Sequence, residues 1–281
     1  MLASGIEEFR RSGVRALPPG PVALILADDI ALLPETLRHL LGHGFGAVLL
    51  LAPDHLDQRL PDPRVHLVRH DVTAPGALAG AANALMPALE GRWIYVGHGA
   101  EFPFYPFCET RSIGELLSFH ESERRMAMLS YVVDVYAGDL ERAPDGADIA
   151  DAWMDARSYY ALPRPDAERQ IEAYGGLRWR YEEHIPADRR RIDRIAFFKA
   201  RPGLAMAPDF TLSEAEANTY ACEWHHSATA AIVSFRAARA LRSNPGPRAA
   251  IRSFRWHGSV KFDWTSQQLL DLGLMEPGQW F

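Results

Sequence analysis

The chain is poor in the features that usually narrow a function. Of its 281 residues only two are cysteine, Cys108 and Cys222. That is too few for a disulfide scaffold, leaves room for one bridge at most, and fits a reducing compartment. Long apolar runs are missing: the longest, from Ala47 to Pro53, falls far short of the roughly 20 residues a membrane-spanning helix needs. The opening "MLASGIEEFRRSG" has early acidic residues and no apolar core, so no signal peptide is expected. Positive charge is in deficit, with a formal net charge of −6, which argues against nucleic acid as a bulk partner. Glycine-rich phosphate loops, CxxC zinc patterns, GxSxG elbows, HExxH helices and internal repeats are all absent from the sequence, and with them the chemistries those motifs carry. What remains is an ordinary globular composition, 48% hydrophobic and 23% charged, expected to form one cytoplasmic domain without a transmembrane segment.

What is present is alternation. "VALILA" (22–27), "AVLLLA" (47–52), "VHLV" (65–68) and "WIYV" (93–96) are short apolar runs, as strands buried on both faces require. Between them Leu33, Leu37, Leu40 and Leu41, and then Leu78, Ala81, Ala82, Leu85 and Leu89, recur at helical spacing. Pro34 suits a first helical turn. This order predicts an α/β protein with a mostly parallel sheet and helices on both faces. Residues 1–20 read as a lead-in and 21–137 as the strand–helix half. Residues 138–190 show no clear period and are expected to form loops and short helices. Strands are expected over "MAMLSYVVDVYAG" and "IDRIAFFKA" (192–200), and a helix over about 112–124. From His226 to Leu241, Ala228, Ala231, Ile232, Phe235, Ala238 and Leu241 fit one helical face, with Arg236, Arg239 and Arg242 off that stripe. The tail 250–281 carries three Trp and is expected to pack onto the body.

In open parallel sheets ligands gather beyond the carboxyl ends of the strands. Asp28, Asp29, Asp54 and the turn Gly97-His98-Gly99-Ala100-Glu101 fall there. His98 and Glu101 are chemically able to bind a cation, position a diphosphate or move a proton. The structural alternative is a tight turn with a capping carboxylate. His225-His226 ahead of a helix would suit an anion, and Arg178 and Arg180 after the Gly pair of "YGGLRWRYEEH" suit phosphate or carboxylate. Their structural alternatives are a buried and a solvated imidazole, and a solvated loop. Asp134, on an apolar strand, must be paired, ligand-bound or at an edge. Burial would raise its pKa and suit it to act as a base.

The order of these features resembles the family-2-like glycosyltransferases of the GT-A fold. The resemblance runs in patches from about 21 to 242. "LADDIALLPETLRHLLGHGFGAVLLL" sets Asp28-Asp29 where the family has Asn-Glu, with Glu35 and Gly44 in register. "WIYVGHGAEF" has the family's Trp-led strand and the Glu and Phe of its Asp-x-Asp-Glu-Phe motif. "GGLRWR", "IAFFKA" and "CEWHHSATAAIVSFRAAR" are similar to its later segments. The resemblance implies a GT-A-like, Rossmann-type sheet, an acceptor-side half over 138–249 and a C-terminal helical region. It implies transfer of a sugar from a nucleotide-sugar donor to an acceptor hydroxyl. Asp28, Asp29, His98, Glu101, Arg178, His225 and His226 would lie at the donor, and Asp134 or Glu183 would be the base.

The departure lies in the metal motif. The family's two aspartates hold a divalent ion against the diphosphate; here they are His98 and Ala100. Ala100 has no ligand atom, and manganese or magnesium prefers oxygen to imidazole. Three outcomes stay open at this point. Cations such as Arg178, Arg180, Lys199, His225 or His226 replace the metal; a different metal binds at His98 and Glu101; or the chain is an inactive sugar-nucleotide or glycan-binding module. A metal hydrolase using His98, Glu101, His225 and His226 is a further alternative.

Overall fold

A computed structural model describes residues 2–56, 62–221 and 226–280. Thirteen strands are named in chain order: β1 (Leu2–Ala3), β2 (Val22–Leu26), β3 (Ala47–Ala52), β4 (Val65–Arg69), β5 (Trp93–His98), β6 (Glu101–Phe104), β7 (Ala127–Ala137), β8 (Ala152–Asp155), β9 (Tyr160–Pro163), β10 (Ile171–Tyr174), β11 (Asp193–Lys199), β12 (Ala230–Ser234) and β13 (Ser259–Lys261). The helices are α1 (Ile6–Glu8), α2 (Leu33–Gly42), α3 (Ala77–Leu85), α4 (Ile113–Ser122), α5 (Gly176–Arg180), α6 (Arg236–Ser243), α7 (Pro245–Ala250) and α8 (Ser266–Asp271).

The main sheet runs β1-β4-β3-β2-β5-β11-β7-β12-β6, with β8 joined to β7 and β13 to β8. Neighbours from β1 to β5 are parallel, and β7 and β12 are parallel. β11 is inserted antiparallel between β5 and β7, and β6 closes the edge antiparallel to β12. Helices cover both faces. On β2, Ala23 and Ile25 pack with Leu33, Leu37 and Leu40 of α2, while Val22, Leu24 and Leu26 pack with Leu78, Ala82 and Leu85 of α3. Every residue of β2 is therefore buried, which is why its sequence is a continuous apolar run. The architecture is the mixed α/β, Rossmann-like one expected from the alternation.

Several local expectations are corrected. The lead-in pairs with the sheet: β1 lies parallel to β4, and Phe9 is buried against the α3 face. The 138–190 region holds strands as well as turns, namely β8 and the hairpin β9–β10. The larger correction concerns 226–241. Residues 230–234 form β12, an interior strand between β7 and β6, and the helix starts only at Arg236. "AAIVS" is apolar at nearly every position, so a 3.6-residue period can be drawn through it by accident. β-branched Ile232 and Val233 favour the strand. Pro103 is tolerated in β6 because that strand pairs on one side only.

Because Ile232 lies in register with Val132 and Pro103, an Ile232→Ala substitution is expected to cost about 2–5 kcal/mol of unfolding free energy. Urea unfolding checks this; a cost of a few tenths would return the segment to a surface helix.

Candidate functional site

Strand order reverses between β2 and β5: β3 and β4 extend to one side of β2, and β5 begins the other. Open α/β sheets split at such a point and leave a crevice beyond the carboxyl ends. Leu26 is in register with His98, and the Gly99 N–H donates to the Leu26 carbonyl at 2.9 Å. Asp28 and Asp29 therefore leave β2 beside the turn that leaves β5. Asp28 is 56% exposed and faces Arg236 at 3.4 Å. Asp29 accepts from the Ala31 N–H at 2.9 Å and from Arg239 at 2.5 Å. Burial alone would push Asp29 up, but the Arg239 and Ala31 hydrogen bonds bring it below the usual carboxylate range. Arg236 and Arg239 open α6, which β12 delivers to this side of the sheet.

The turn itself is built around a buried charge pair. Glu101 is 1% exposed. It accepts from Arg194 at 2.7 and 3.3 Å, from the His98 backbone N–H at 2.9 Å and from Ser234 at 3.4 Å. Arg194 comes from β11 and is itself buried. Burial pulls the Glu101 carboxyl up, and the Arg194 guanidinium overrides it, holding the group well below its usual range. His98 keeps 16% exposure, with Nδ1 at 3.4 Å from Glu101 and its ring against Phe210. Burial first, and Arg236 second, push His98 down to about 4, so it is a neutral imidazole at pH 7. Two backbone features shape the bend. A Cβ on Gly97 would sit 2.5 Å from the buried Tyr95 hydroxyl. Ala100 takes φ 60, held by its N–H on Thr36 at 3.1 Å and by its carbonyl accepting from Phe235 at 3.2 Å. A non-glycine residue in the left-handed region persists only when its surroundings fix it.

A manganese or magnesium ion does not fit these side chains. The Glu101 oxygens face Arg194, Ser234 and the turn amide, Ala100 offers no ligand, and a neutral imidazole alone is a poor site for a hard cation. Among the described residues, no three His, Cys, Asp or Glu side chains are grouped to hold a metal. Glu101 thus caps its turn, and the metal candidates His98 and Glu101 are not a ligand pair.

Asp134 is buried on β7, in register with Ser234 on β12, which is in turn opposite Glu101 on β6. Arg178 donates to it through its backbone N–H at 3.2 Å and its Nε at 3.1 Å. Burial raises the Asp134 pKa despite Arg178. The Arg178 guanidinium also reaches the carbonyls of Arg189 and Arg191. Arg178 and Arg180 are therefore engaged rather than solvated; Arg180 donates to Asp155 at 2.7 Å and to the Phe254 carbonyl at 2.8 Å. The α5 helix starts at Gly176, with φ +63 and a virtual Cβ 3.2 Å from Asp134, so the Gly pair is needed for that approach. Glu183 is 62% exposed on a one-turn helix and lines a separate groove.

The remaining cations expected at the donor lie elsewhere. Lys199 is opposite Trp93, at the amino end of β5, because β11 runs antiparallel; it pairs with Glu121 at 2.9 Å. His226 bridges Ala221 and lies four residues ahead of β12, so the next element after it is a strand and not a helix. His225 lies outside the described residues. The residues that do reach the crevice from a distance are Arg236 and Arg239. Their i, i+3 spacing directly after an apolar run was the available signal, and Arg194 within "IDRIAFFKA" was another.

No family model matches the chain, and no curated protein matches it. Among solved structures it is similar to UDP-glucose pyrophosphorylase from Acinetobacter baumannii, at 9% identity and a TM-score of 0.36, over 83% of this chain and 97% of that one. The UTP-bound enzyme from the same organism gives 10% identity and a TM-score of 0.35 over 83% and 97%. These scores are low, and nothing about this chain's chemistry follows from them.

Replacing Glu101 by Gln leaves Arg194 buried without its counter-charge, and is expected to cost about 3–5 kcal/mol. His98 and Glu101 each contribute to the wild-type pH dependence, the first alongside His39 and His120, which burial also depresses. An unfolded His titrates near about 6.5, whereas His98 stays neutral to about 4. The unfolded state therefore binds the extra proton, and stability falls as pH drops through that window. The Glu101 contribution is present above about 4.3 and is lost as pH falls further through its lower folded pKa. Urea unfolding from pH 8 to 3 should show both losses, with the second smaller in Glu101→Gln, where Asp29, Glu109 and Asp209 still contribute. Acid-insensitive stability down to pH 3 would contradict the pairing.

Proposed function

We propose that the crevice between the carboxyl ends of β2 and β5 binds a nucleotide-sugar. On this reading the chain is a glycosyltransferase that moves the sugar to an acceptor hydroxyl with no divalent ion in the site. The observation that carries the reading is the reversal of strand order at Asp28-Asp29 and His98, with Arg236 and Arg239 brought alongside. Asp28 and Asp29 accept hydroxyl hydrogens from the nucleoside. Arg236 is held by Asp28 and Arg239 by Asp29 and, at 3.9 Å, Asp145, all partly exposed carboxylates, and both arginines turn to the diphosphate when it arrives. Exposed ion pairs contribute about 0–1 kcal/mol, so exchanging the partner costs little. As the glycosidic bond breaks, charge grows on the leaving diphosphate, and the two guanidinium groups that have turned to it stabilise it electrostatically. Neutral His98 accepts or donates one hydrogen bond there without adding charge.

For the base, Asp134 has the raised pKa but is covered by Arg178 and α5. Glu183 is open to solvent. We assign Asp134 to positioning α5 and Glu183 to taking the acceptor proton. One observation favours a second reading, a binding module without turnover: both carboxylates of the buried row, Glu101 and Asp134, are neutralised by arginine. Turnover of a bound donor separates the two.

Calorimetry with uridine, guanosine and thymidine diphosphate sugars is expected to find at least one that binds. Arg236→Ala should weaken that donor by about tenfold or more, or about 1.4 kcal/mol, with an unchanged melting temperature. Glu101→Ala is a poor probe, because its loss destabilises the turn. Failure of every donor to bind, or an unaltered affinity in Arg236→Ala, would overturn the assignment.

A further inference from the structure

A concavity of about 380 Å³ is lined by Trp179, Arg180, Tyr181, Glu182, Glu183 and Trp256. It lies at the far end of α5 from Asp134. Tyr136, near the carboxyl end of β7, is tied to its floor through Asp155. β7 runs in the same direction as β5, through two antiparallel steps across β11. The groove thus sits toward the side of the sheet on which β5 ends.

Its floor is fixed. Asp155 is fully buried and accepts from Arg180 at 2.7 Å, from the Tyr136 hydroxyl at 2.6 Å and from the Trp256 indole N–H at 2.8 Å. The Arg180 guanidinium lies 5.2 Å from the ring centres of both Tyr181 and Trp256. Trp256 is therefore locked at its polar edge, with its indole held beside the groove. Across from it Trp179 is 41% exposed, an uncommon degree for so large an apolar ring. Glu182 and Glu183 add carboxylate oxygens at the rim, each with a basic neighbour, Arg190 at 3.5 Å and His184 at 3.8 Å.

We infer that this groove is a carbohydrate-binding subsite, and that the acceptor is a saccharide or a glycan-bearing molecule. A pyranose has one face of C–H groups and an equator of hydroxyls. Flat indole faces suit the first, and rim carboxylates that accept hydrogen bonds suit the second. The rim is wrong for an anion, because Arg180 is already spent on Asp155. A quaternary ammonium would prefer a closed aromatic cage, whereas this site is an open trough whose Glu182 already faces the Arg190 guanidinium. The immobilised Trp256 wall lowers the ordering cost of binding. The inference rests on the glycosyltransferase reading for the word acceptor, but the binding site does not need it.

The test uses the intact chain and maltotriose, cellotriose and chitotriose as probes, without nucleotide. Saturable tryptophan fluorescence change, with saturation transfer to sugar ring protons, is expected for at least one. Trp179→Ala should weaken it by about tenfold and leave nucleotide-sugar affinity as it was. Because Trp179 is exposed, that variant keeps its fold; saturation transfer on the unmodified chain gives a readout that needs no variant. Oligosaccharide binding with no donor bound would sustain the subsite and sink the donor assignment. Donor binding without any oligosaccharide response, or choline binding more tightly than every sugar, would overturn the subsite and spare the donor crevice.

Discussion

The buried ion pair between Glu101 and Arg194 is the constraint on which the rest of the site depends. It joins three strands that are far apart in the chain: β6 begins with Glu101, β11 supplies Arg194, and β12 supplies Ser234. Removing two charges from water costs several kcal/mol per ion, and attraction offsets this only when the remaining hydrogen-bonding capacity is used. Here both carboxylate oxygens are engaged, one of them by the amide of His98. The geometry of the bend after β5, including the left-handed Ala100, follows from that anchoring. In the proposed account the pair also has a chemical consequence. A carboxylate that would otherwise attract a divalent ion is already neutralised from within, so positive charge for a diphosphate has to come from the surface, at Arg236 and Arg239.

Two further pairs repeat the arrangement. Asp134 and Arg178 fix the start of α5, Asp155 and Arg180 fix its end, and the two Asp residues sit on strands joined edge to edge, β7 and β8. A five-residue helix is too short to be stable alone. Two buried carboxylates hold it instead, and with it the aromatic groove. Strands of the sheet position the crevice, and α5 carries the groove, so the two proposed subsites share one rigid support.

Much of this fold was legible in the chain. β2, β3, β4 and β5 read directly as apolar runs because both of their faces are buried, and α2 and α3 read by their leucine spacing. The common place of Asp28, Asp29 and His98 at strand ends was legible too, since a strand's carboxyl end is known once its direction is. Direction is also where reading failed. Lys199 is among the cations the sequence offers to replace a metal, but β11 runs antiparallel, and no local pattern announces that. β12 was taken for a helix because alanine-rich apolar stretches satisfy both periods. The partner of Glu101 lies 93 positions away, so the choice between an exposed ligand and a buried cap could not be made from "GHGAEF". Arg236 and Arg239 read only as residues off an apolar stripe for the same reason: their acidic partners are about two hundred residues upstream.

The central claim is that protein cations stand where a metal would. Titration of the bound nucleotide-sugar in the presence of excess EDTA, and again with manganese, tests it most directly. The account predicts the same dissociation constant in both, within about twofold, or 0.4 kcal/mol. Binding that vanishes in EDTA and returns with manganese would contradict it.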